Sequence, residues 1–306
     1  LEAIIKNKIR KRSGTDKTWK DRVFDLSVYG IAILMMLIII YPLWFIVIAS
    51  FSDPADVSNG NVWFWPEEWK LDGYIELLKQ EMIWRGYLNT IIYTLVGTII
   101  ALLVNIPAGY ALSRKELFGR KWISIFYLIP MFVGGGLIPT YLVVKNLGLL
   151  DTFWVLVLPF SVSAFNIIIA RTFFRSSIPE SLWEAAQIDG CGTIRYFLTM
   201  VLPLSKAILA VIGLWTAVGI WNSWFDAMIY ISNEHLQPLQ LVLRRILISN
   251  ESLLGTASGE LASELRRLSE MMKYAAIVVS TLPIMCLYPF LQKYFNQGVM
   301  VGSIKE

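Results

Sequence analysis

Stretches free of Asp, Glu, Lys and Arg divide this chain into a regular series. They lie between Asp25 and Asp53, Arg85 and Arg114, Lys121 and Lys145, Asp151 and Arg171, Lys206 and Asp226, and Lys273 and Lys293. A membrane helix needs about 20 mostly apolar residues, and each stretch can hold one. The pattern predicts an all-α integral membrane protein with six transmembrane helices and both termini on the same side of the bilayer.

Composition agrees with the pattern. Of 306 residues, 56 % are hydrophobic and 16 % charged, where a soluble domain averages roughly 25 % charged. Mean hydropathy is +0.57. A single domain of spans accounts for the length. The basic segment at the start leads into an apolar run too long for a cleavable signal peptide.

Net charge is +4, but its distribution is more informative than its sum. With the N-terminus inside, segments 1–27, 113–121, 171–206 and 293–306 face inward and hold 18 of the 27 Lys and Arg; the outward segments hold 9. Cytoplasmic loops favour Lys and Arg, so the expected topology is N-in and C-in. The expected organisation is a basic cytoplasmic arm at 1–25, a six-helix permease domain at 26–296 and a cytoplasmic tail at 297–306. The arm carries Lys6, Lys8, Arg10, Lys11, Arg12, Lys17, Lys20 and Arg22. It reads as an orientation signal that touches anionic head groups; nothing else in the chain supports nucleic-acid binding.

The inward segment between spans four and five is unlike an ordinary loop. Ser177 and Glu180 have the spacing of a capping box, and Pro179 falls where the first turn would be. Glu184-Ala185-Ala186-Gln187-Ile188-Asp189-Gly190-Cys191-Gly192 follows, then an amphipathic piece ending Met200-Val201-Leu202-Pro203. Ala185 and Ala186 favour helix and let a second surface approach. Gly190 and Gly192 are suited to end the helix in a left-handed conformation. The prediction over 177–203 is a helix, a sharp turn and a second helical piece.

This stretch resembles the EAA loop of ABC-importer permeases. Glu184, Ala185, Ala186, Asp189, Gly190, Leu202 and Pro203 fit the family pattern; Met200 stands where Ile is usual. Asn89-Thr90, Gly109-Tyr110-Ala111-Leu112-Ser113-Arg114 and the Trp-Asn pair at 221–222 match too. These distributed matches resemble the carbohydrate-importer permeases, and within them the LplC/YtcP-like oligosaccharide group more than the maltose permease. The resemblance implies a cytoplasmic coupling helix that docks on an ATP-hydrolysing subunit, and import of an oligosaccharide, with a uronate oligomer as one option, by alternating access in a bacterial cytoplasmic membrane. The implied partners are a homologous second permease, two ATP-binding cassette subunits, an extracytoplasmic solute-binding protein and the lipid bilayer. No phosphate-binding loop occurs in the chain, so no cofactor is expected on it; ATP and Mg belong to the partners.

Two regions are candidates for the substrate pathway. Span three carries Pro130, Gly134-Gly135-Gly136 and Pro139. Such a run marks a broken helix, tolerated at membrane depth where it is buried in protein or lines a cavity. Span five ends in Trp221-Asn222-Ser223-Trp224-Phe225-Asp226. Intramembrane polar groups usually face a bundle interior or wet cavity, and aromatic faces beside polar groups suit sugar rings. A packing kink around Gly135 and Gly136, and an interfacial girdle around Trp221, Asn222, Trp224 and Asp226, are the plainer alternatives. Trp63, Phe64, Trp65 and Trp69 in the first outward loop fit either an aromatic belt or a surface meeting the binding protein.

Other classes are weaker. A self-sufficient secondary transporter or channel would show inverted repeats and intramembrane ionisable groups. A membrane enzyme would need a nucleophile–base pair or metal ligands. With one histidine and two cysteines, Cys191 and Cys286, neither a metal site nor a disulfide framework is expected.

Overall fold

The computed structural model describes residues 19–254 and 266–286. Every regular element among them is helical. They fall into two compact units that divide after Lys70.

The first unit is built on α1 (Trp19–Ala49), a 31-residue helix with Pro42 in its interior. It begins before Asp25, because extending a formed helix adds a hydrogen bond for each residue ordered. Its side chains from Ile31 to Ile40 are apolar and exposed, as a helix that is hydrophobic all round requires of its surroundings. Asp53 then caps α2 (Pro54–Ser58), accepting the Ala55 N–H at 3.0 Å. Its second carboxylate oxygen meets Lys70 Nζ at 2.8 Å, and this bond holds the Lys70 ammonium above the usual lysine range. The aromatic loop folds back within this unit. Trp65 packs edge-on against Trp44, Trp69 lies against Phe51, and Trp44 Nε1 donates to the Phe64 carbonyl at 3.2 Å.

The second unit opens with α3 (Asp72–Lys79) and is organised around α4 (Glu81–Ser113). α4 packs along α8 (Ala164–Ser177) and α11 (Lys206–Trp221). Small residues permit this, since helices in lipid associate by packing rather than by a hydrophobic drive. A Cβ placed on Gly97 would stand 2.4 Å from Ile220 Cδ1, and one on Gly109 would stand 2.5 Å from the Ala170 Cβ. Three buried clusters result. One joins Tyr93, Leu156, Ile220 and Tyr230; the second joins Ile106, Tyr110, Trp183, Tyr196 and Ile212; the third joins Leu77, Ile83, Trp221 and Met272.

Three described helices are long and apolar enough to cross a membrane: α1, α4 and α14 (Arg266–Cys286). Two helix pairs meet that measure only when each is taken together. α5 (Arg120–Phe132) and α6 (Leu137–Asn146) are bent by 118° across the glycine run, with Gly136 at a φ of 86°. The expected break in span three is therefore present. α10 (Thr193–Leu204) and α11 are bent by 79° at Ser205. Pro203 has no N–H to give to the carbonyl one turn back, and the preceding residues Phe197–Val201 widen into a π turn. The buried Ser205 hydroxyl donates to the Val201 carbonyl at 2.6 Å.

Span four is not the continuous helix that residues between Asp151 and Arg171 predict. It is a 3-10 turn (Phe153–Leu156), a single turn α7 (Leu158–Ser161) and then α8. The break at Val162 and Ser163 is stabilised from α4. Asn105 Nδ2 donates to the Ser161 carbonyl at 2.7 Å, and Asn105 Oδ1 accepts the Ser163 N–H at 2.9 Å. Irregular backbone among membrane helices survives where such bonds are supplied.

The segment after α12 (Trp224–Tyr230) is held in the same way. Asn89 Nδ2 donates to the carbonyls of His235 and Gln237, Tyr93 donates to the Leu236 carbonyl, and Thr90 accepts the Leu239 N–H. That anchors the start of α13 (Leu239–Leu254). Residues 255–265, including Glu260 and Glu264, lie outside the described residues, as do the basic arm through residue 18 and the tail.

Candidate functional site

The turn between α8 and α11 is a tight corner whose buried and outward faces separate cleanly. Its first helix, α9 (Glu180–Ile188), is not started by a capping box. Pro179 is the N-cap, with no side-chain bond to the helix. Ser177 is the last residue of α8, and its hydroxyl has no partner among the described residues. α8 runs on far enough to absorb the serine that the spacing assigns to the next helix.

The other end of α9 matches expectation at one glycine. Gly190 adopts a φ of 71°. The Cys191 N–H bonds to the Ala186 carbonyl at 2.8 Å and the Gly190 N–H to the Gln187 carbonyl at 3.0 Å. This is the paired bonding of a Schellman stop. Gly192 has a φ of −71° and is extended, so one left-handed residue suffices and the second glycine is not used that way. Nothing lies within 4 Å of a Cβ built on Gly190, so its requirement is backbone conformation alone. Gly190→Ala is therefore expected to cost about 1 kcal/mol at this corner, and Gly190→Asn less, because Asn tolerates the left-handed region. Hydrogen-exchange protection of residues 184–191 measures this; equal protection in the Ala and Asn variants would contradict it.

The face of α9 that packs inward consists of Trp183 and Ala186, with Leu182 partly buried beside them. Trp183 packs against Tyr196 with ring centroids 4.9 Å apart and the planes tilted by 58°. The Arg114 guanidinium lies 5.0 Å above the Trp183 ring. Arg114 also meets Glu116 at 2.8 Å, and Lys115 meets Glu180 at 2.5 Å. Glu116's own backbone N–H, and then Arg114, hold its carboxyl below the usual carboxylate range. The link between α4 and α5 is thus pinned to the first half of α9, and the corner is coupled mechanically to α4.

The opposite face is free. Glu184, Ala185, Gln187, Ile188 and Asp189 are exposed. Ile188 is 87 % exposed and Ile194, beyond the turn, 76 %. Glu184 makes no ion pair among the described residues, and all nine residues 184–192 except Ala186 and Cys191 face outward. Ala185 and Ala186 therefore serve different surfaces. Leu202 packs against the inner cluster, and Pro203 sits exposed at the bend into α11.

The residues expected to line a substrate pathway do not form one surface. Trp221 is buried, donating Nε1 to the Ser280 carbonyl at 3.0 Å and packing edge-on against Tyr87. It joins α11 to α14 as a core residue. Asn222 caps α11, its Nδ2 donating to the Val218 carbonyl at 2.9 Å. Trp224 carries the Arg244 guanidinium 3.8 Å over its ring. Asp226 instead lines a cleft of about 410 Å³ with Ser163, Phe165, Asn166, Trp215 and Ser223. Phe165 and Trp215 stack there at 5.6 Å and 28°. Gly135 and Gly136 are exposed at the break between α5 and α6. Phe165, Asn166 and Asn105 carry no motif and were not distinguishable in sequence from ordinary span residues. Among the described residues no group of three His, Cys, Asp or Glu could hold a metal ion.

Comparison with known proteins places this arrangement. Residues 106–301 match the family model for the binding-protein-dependent transport system inner membrane component. The chain is 37 % identical to the polygalacturonan/rhamnogalacturonan transport system permease protein YtcP of Bacillus subtilis, over 94 % of this chain and 99 % of that one. It is 39 % identical to protein LplC of the same organism, over 93 % and 95 %. Among solved structures, a chain from a crystal structure of a bacterial ABC transporter involved in the import of the acidic polysaccharide alginate superposes with a TM-score of 0.81. It is 31 % identical, over 92 % of this chain and all of that one. The chain belongs to the family of binding-protein-dependent transport inner membrane components, and it is an ABC-importer permease subunit, a transporter part rather than an enzyme, with ATP hydrolysed on separate subunits.

Proposed function

We propose that this chain is one of two permease subunits of an ATP-driven importer of oligosaccharides, in a bacterial cytoplasmic membrane. It works by alternating access with a homologous permease, two ATP-binding cassette subunits and an extracytoplasmic binding protein. Six spans, N-in and C-in, are supported by the charge-free runs and the Lys/Arg distribution; three long helices and two bent pairs stand where five of them are expected, and the broken α7–α8 segment stands where the fourth is. The organisation into a basic arm at 1–25, a permease domain at 26–296 and a tail at 297–306 follows from that topology.

The observation that carries the reading is the two-faced corner. Its inner face locks onto α4 through Trp183 and Arg114, while Glu184, Ala185, Asp189 and Gly190 present an exposed outward surface. A partner that pushes on that surface moves α4 and α8 with it. Nucleotide shifts the equilibrium only by its differential affinity for the two states, and such a rigid link lets that affinity reach the spans. Ala186, Leu202 and Pro203 hold the corner and its bend in shape.

The substrate is a carbohydrate chain. Support comes from the relatives, named for polygalacturonan/rhamnogalacturonan, melibiose/raffinose/stachyose and alginate transport. Two of those three are uronate polymers, which favours a uronate-containing oligomer. Within this chain the Asp226 cleft, with its Phe165–Trp215 stack, has the aromatic and polar groups a sugar ring needs. Asn222, Trp224, Gly135 and Gly136 flank the route, and Trp221 supports it from the core.

The test is ATPase activity of the complex in liposomes with its binding protein, across neutral and uronate oligosaccharides. One glycan class is expected to stimulate hydrolysis, and Glu184→Ala to lower that stimulation about tenfold, the loss of one charge-assisted contact. Uptake that follows an ion gradient, with no co-purifying ATPase, would instead establish a secondary transporter.

A further inference from the structure

Three arginines gather where α5 and α8 pack against each other. Arg120 opens α5, and Arg171 and Arg175 stand one turn apart on α8. Arg171 Nη1 donates to the Ser124 hydroxyl at 3.3 Å, and that hydroxyl donates to the Arg120 carbonyl at 2.7 Å. Arg120 Nη1 in turn reaches the Arg114 carbonyl at 3.3 Å. Arg171 lies within electrostatic reach of both Arg120 and Arg175.

The neighbouring carboxylates are occupied elsewhere. Glu116 pairs with Arg114 and Glu180 with Lys115. Among the described residues no acid stands within 4.0 Å of Arg120, Arg171 or Arg175. Like charges at i,i+4 destabilise a helix, and here a third cation converges on the pair. Lys and Arg that only bias orientation gain nothing from being gathered at one point, since that bias depends on their number near the span ends. Convergence of this kind has the form of an anion site.

The surroundings select the anion. The cluster lies at the polar ends of two apolar helices; on the side of α5 away from Arg120 and Ser124, Trp122 and Phe126 are 75 % and 72 % exposed one turn apart. Tryptophan prefers the headgroup level of a bilayer, and basic pockets between membrane helices bind anionic head groups. Trp122 sets this end of α5 at the depth of the head groups, where lipid phosphates stand level with the cluster, which favours a lipid over a free phosphate.

We propose that Arg120, Arg171 and Arg175 form a binding site for the head group of an anionic glycerophospholipid at the membrane surface. The bound lipid neutralises the cluster and ties α5 to α8 beside the coupling corner. The site depends on membrane insertion; only the leaflet it faces rests on the orientation proposed above.

Native mass spectrometry of the purified transporter, titrated with phosphatidylglycerol or phosphatidylcholine, tests this. Phosphatidylglycerol is expected to bind preferentially, and Arg175→Gln to weaken it about fivefold, with a further fivefold in Arg171→Gln/Arg175→Gln. Arg175 is exposed, so its replacement leaves packing intact, and Arg175→Lys should retain most binding. Arg195→Gln makes the same charge change off the cluster and should leave binding as it is. Equal loss in Arg195→Gln, or no preference for phosphatidylglycerol, would overturn the site. Competition by millimolar inorganic phosphate as effective as that by lipid would show a free-anion site and overturn the lipid assignment. Because the readout is bound lipid, failure here is distinct from failure of the transport reading.

Discussion

Asn105→Ala is expected to lower the stability of the protein by about 2–6 kcal/mol, far beyond the usual cost of a polar substitution. Asn105 is fully buried in α4. It donates to the Ser161 and Ala101 carbonyls at 2.7 Å and accepts the Ser163 N–H at 2.9 Å. Removing it strands a carbonyl and an N–H at the break between α7 and α8, each costing about 1–3 kcal/mol when buried without a partner. Ser161 is buried, so water does not replace the bond to its carbonyl. Asn105→Leu restores most of the volume and none of the bonds, so it separates the two effects. Thermal midpoint and yield of the assembled transporter in nanodiscs provide the measurement. If Asn105→Leu melts with the wild type, the broken span is held by something else.

Gly109→Val is expected to be comparably damaging through packing. A Cβ at this position would meet the Ala170 Cβ at 2.5 Å, and the Arg171 nitrogen and Ile167 carbonyl oxygen at 3.0 Å. Two of these three atoms are backbone of α8 and cannot rotate away. The helices must separate, which costs about 1–3 kcal/mol or more in a packed core and breaks the close contact on which association in lipid depends. Gly109→Ala has one carbon to place, and its shortest contact is a side-chain carbon. Ala170→Gly should therefore partly rescue Gly109→Ala and should fail to rescue Gly109→Val, whose branches still meet the α8 backbone. A double-mutant cycle on thermal stability reads this coupling. Additive effects of Gly109→Ala and Ala170→Gly would refute the contact.

These two sites were unequally legible. Gly109 belongs to a series of small residues, with Gly97, Ala101 and Ala108, that marks a close-packed face in a membrane helix. Asn105 sits in the same helix and carries no signal of its own. Its purpose lies in the backbone of residues 56 and 58 positions further on. Residues 152–170 are uncharged and read as one span. Only the approach of α4 makes a break there affordable.

The sequence by itself determined the features that depend on local chemistry. Charge-free runs specify apolar helices, Gly136 and its neighbours end one helix and begin another, and Gly190 supplies the left-handed stop at the end of α9. Tertiary structure decided what depends on which helices meet. It assigned Ser177 to the end of α8 instead of to a capping box, and turned Ala186 inward while leaving Ala185 outside. It also divided Trp221 from Asp226: the first reaches α14 and is buried, the second opens on a cleft formed with α8. The two are five positions apart along the chain, but α11 ends between them, and the direction of a side chain past a helix end is set by packing and not by spacing.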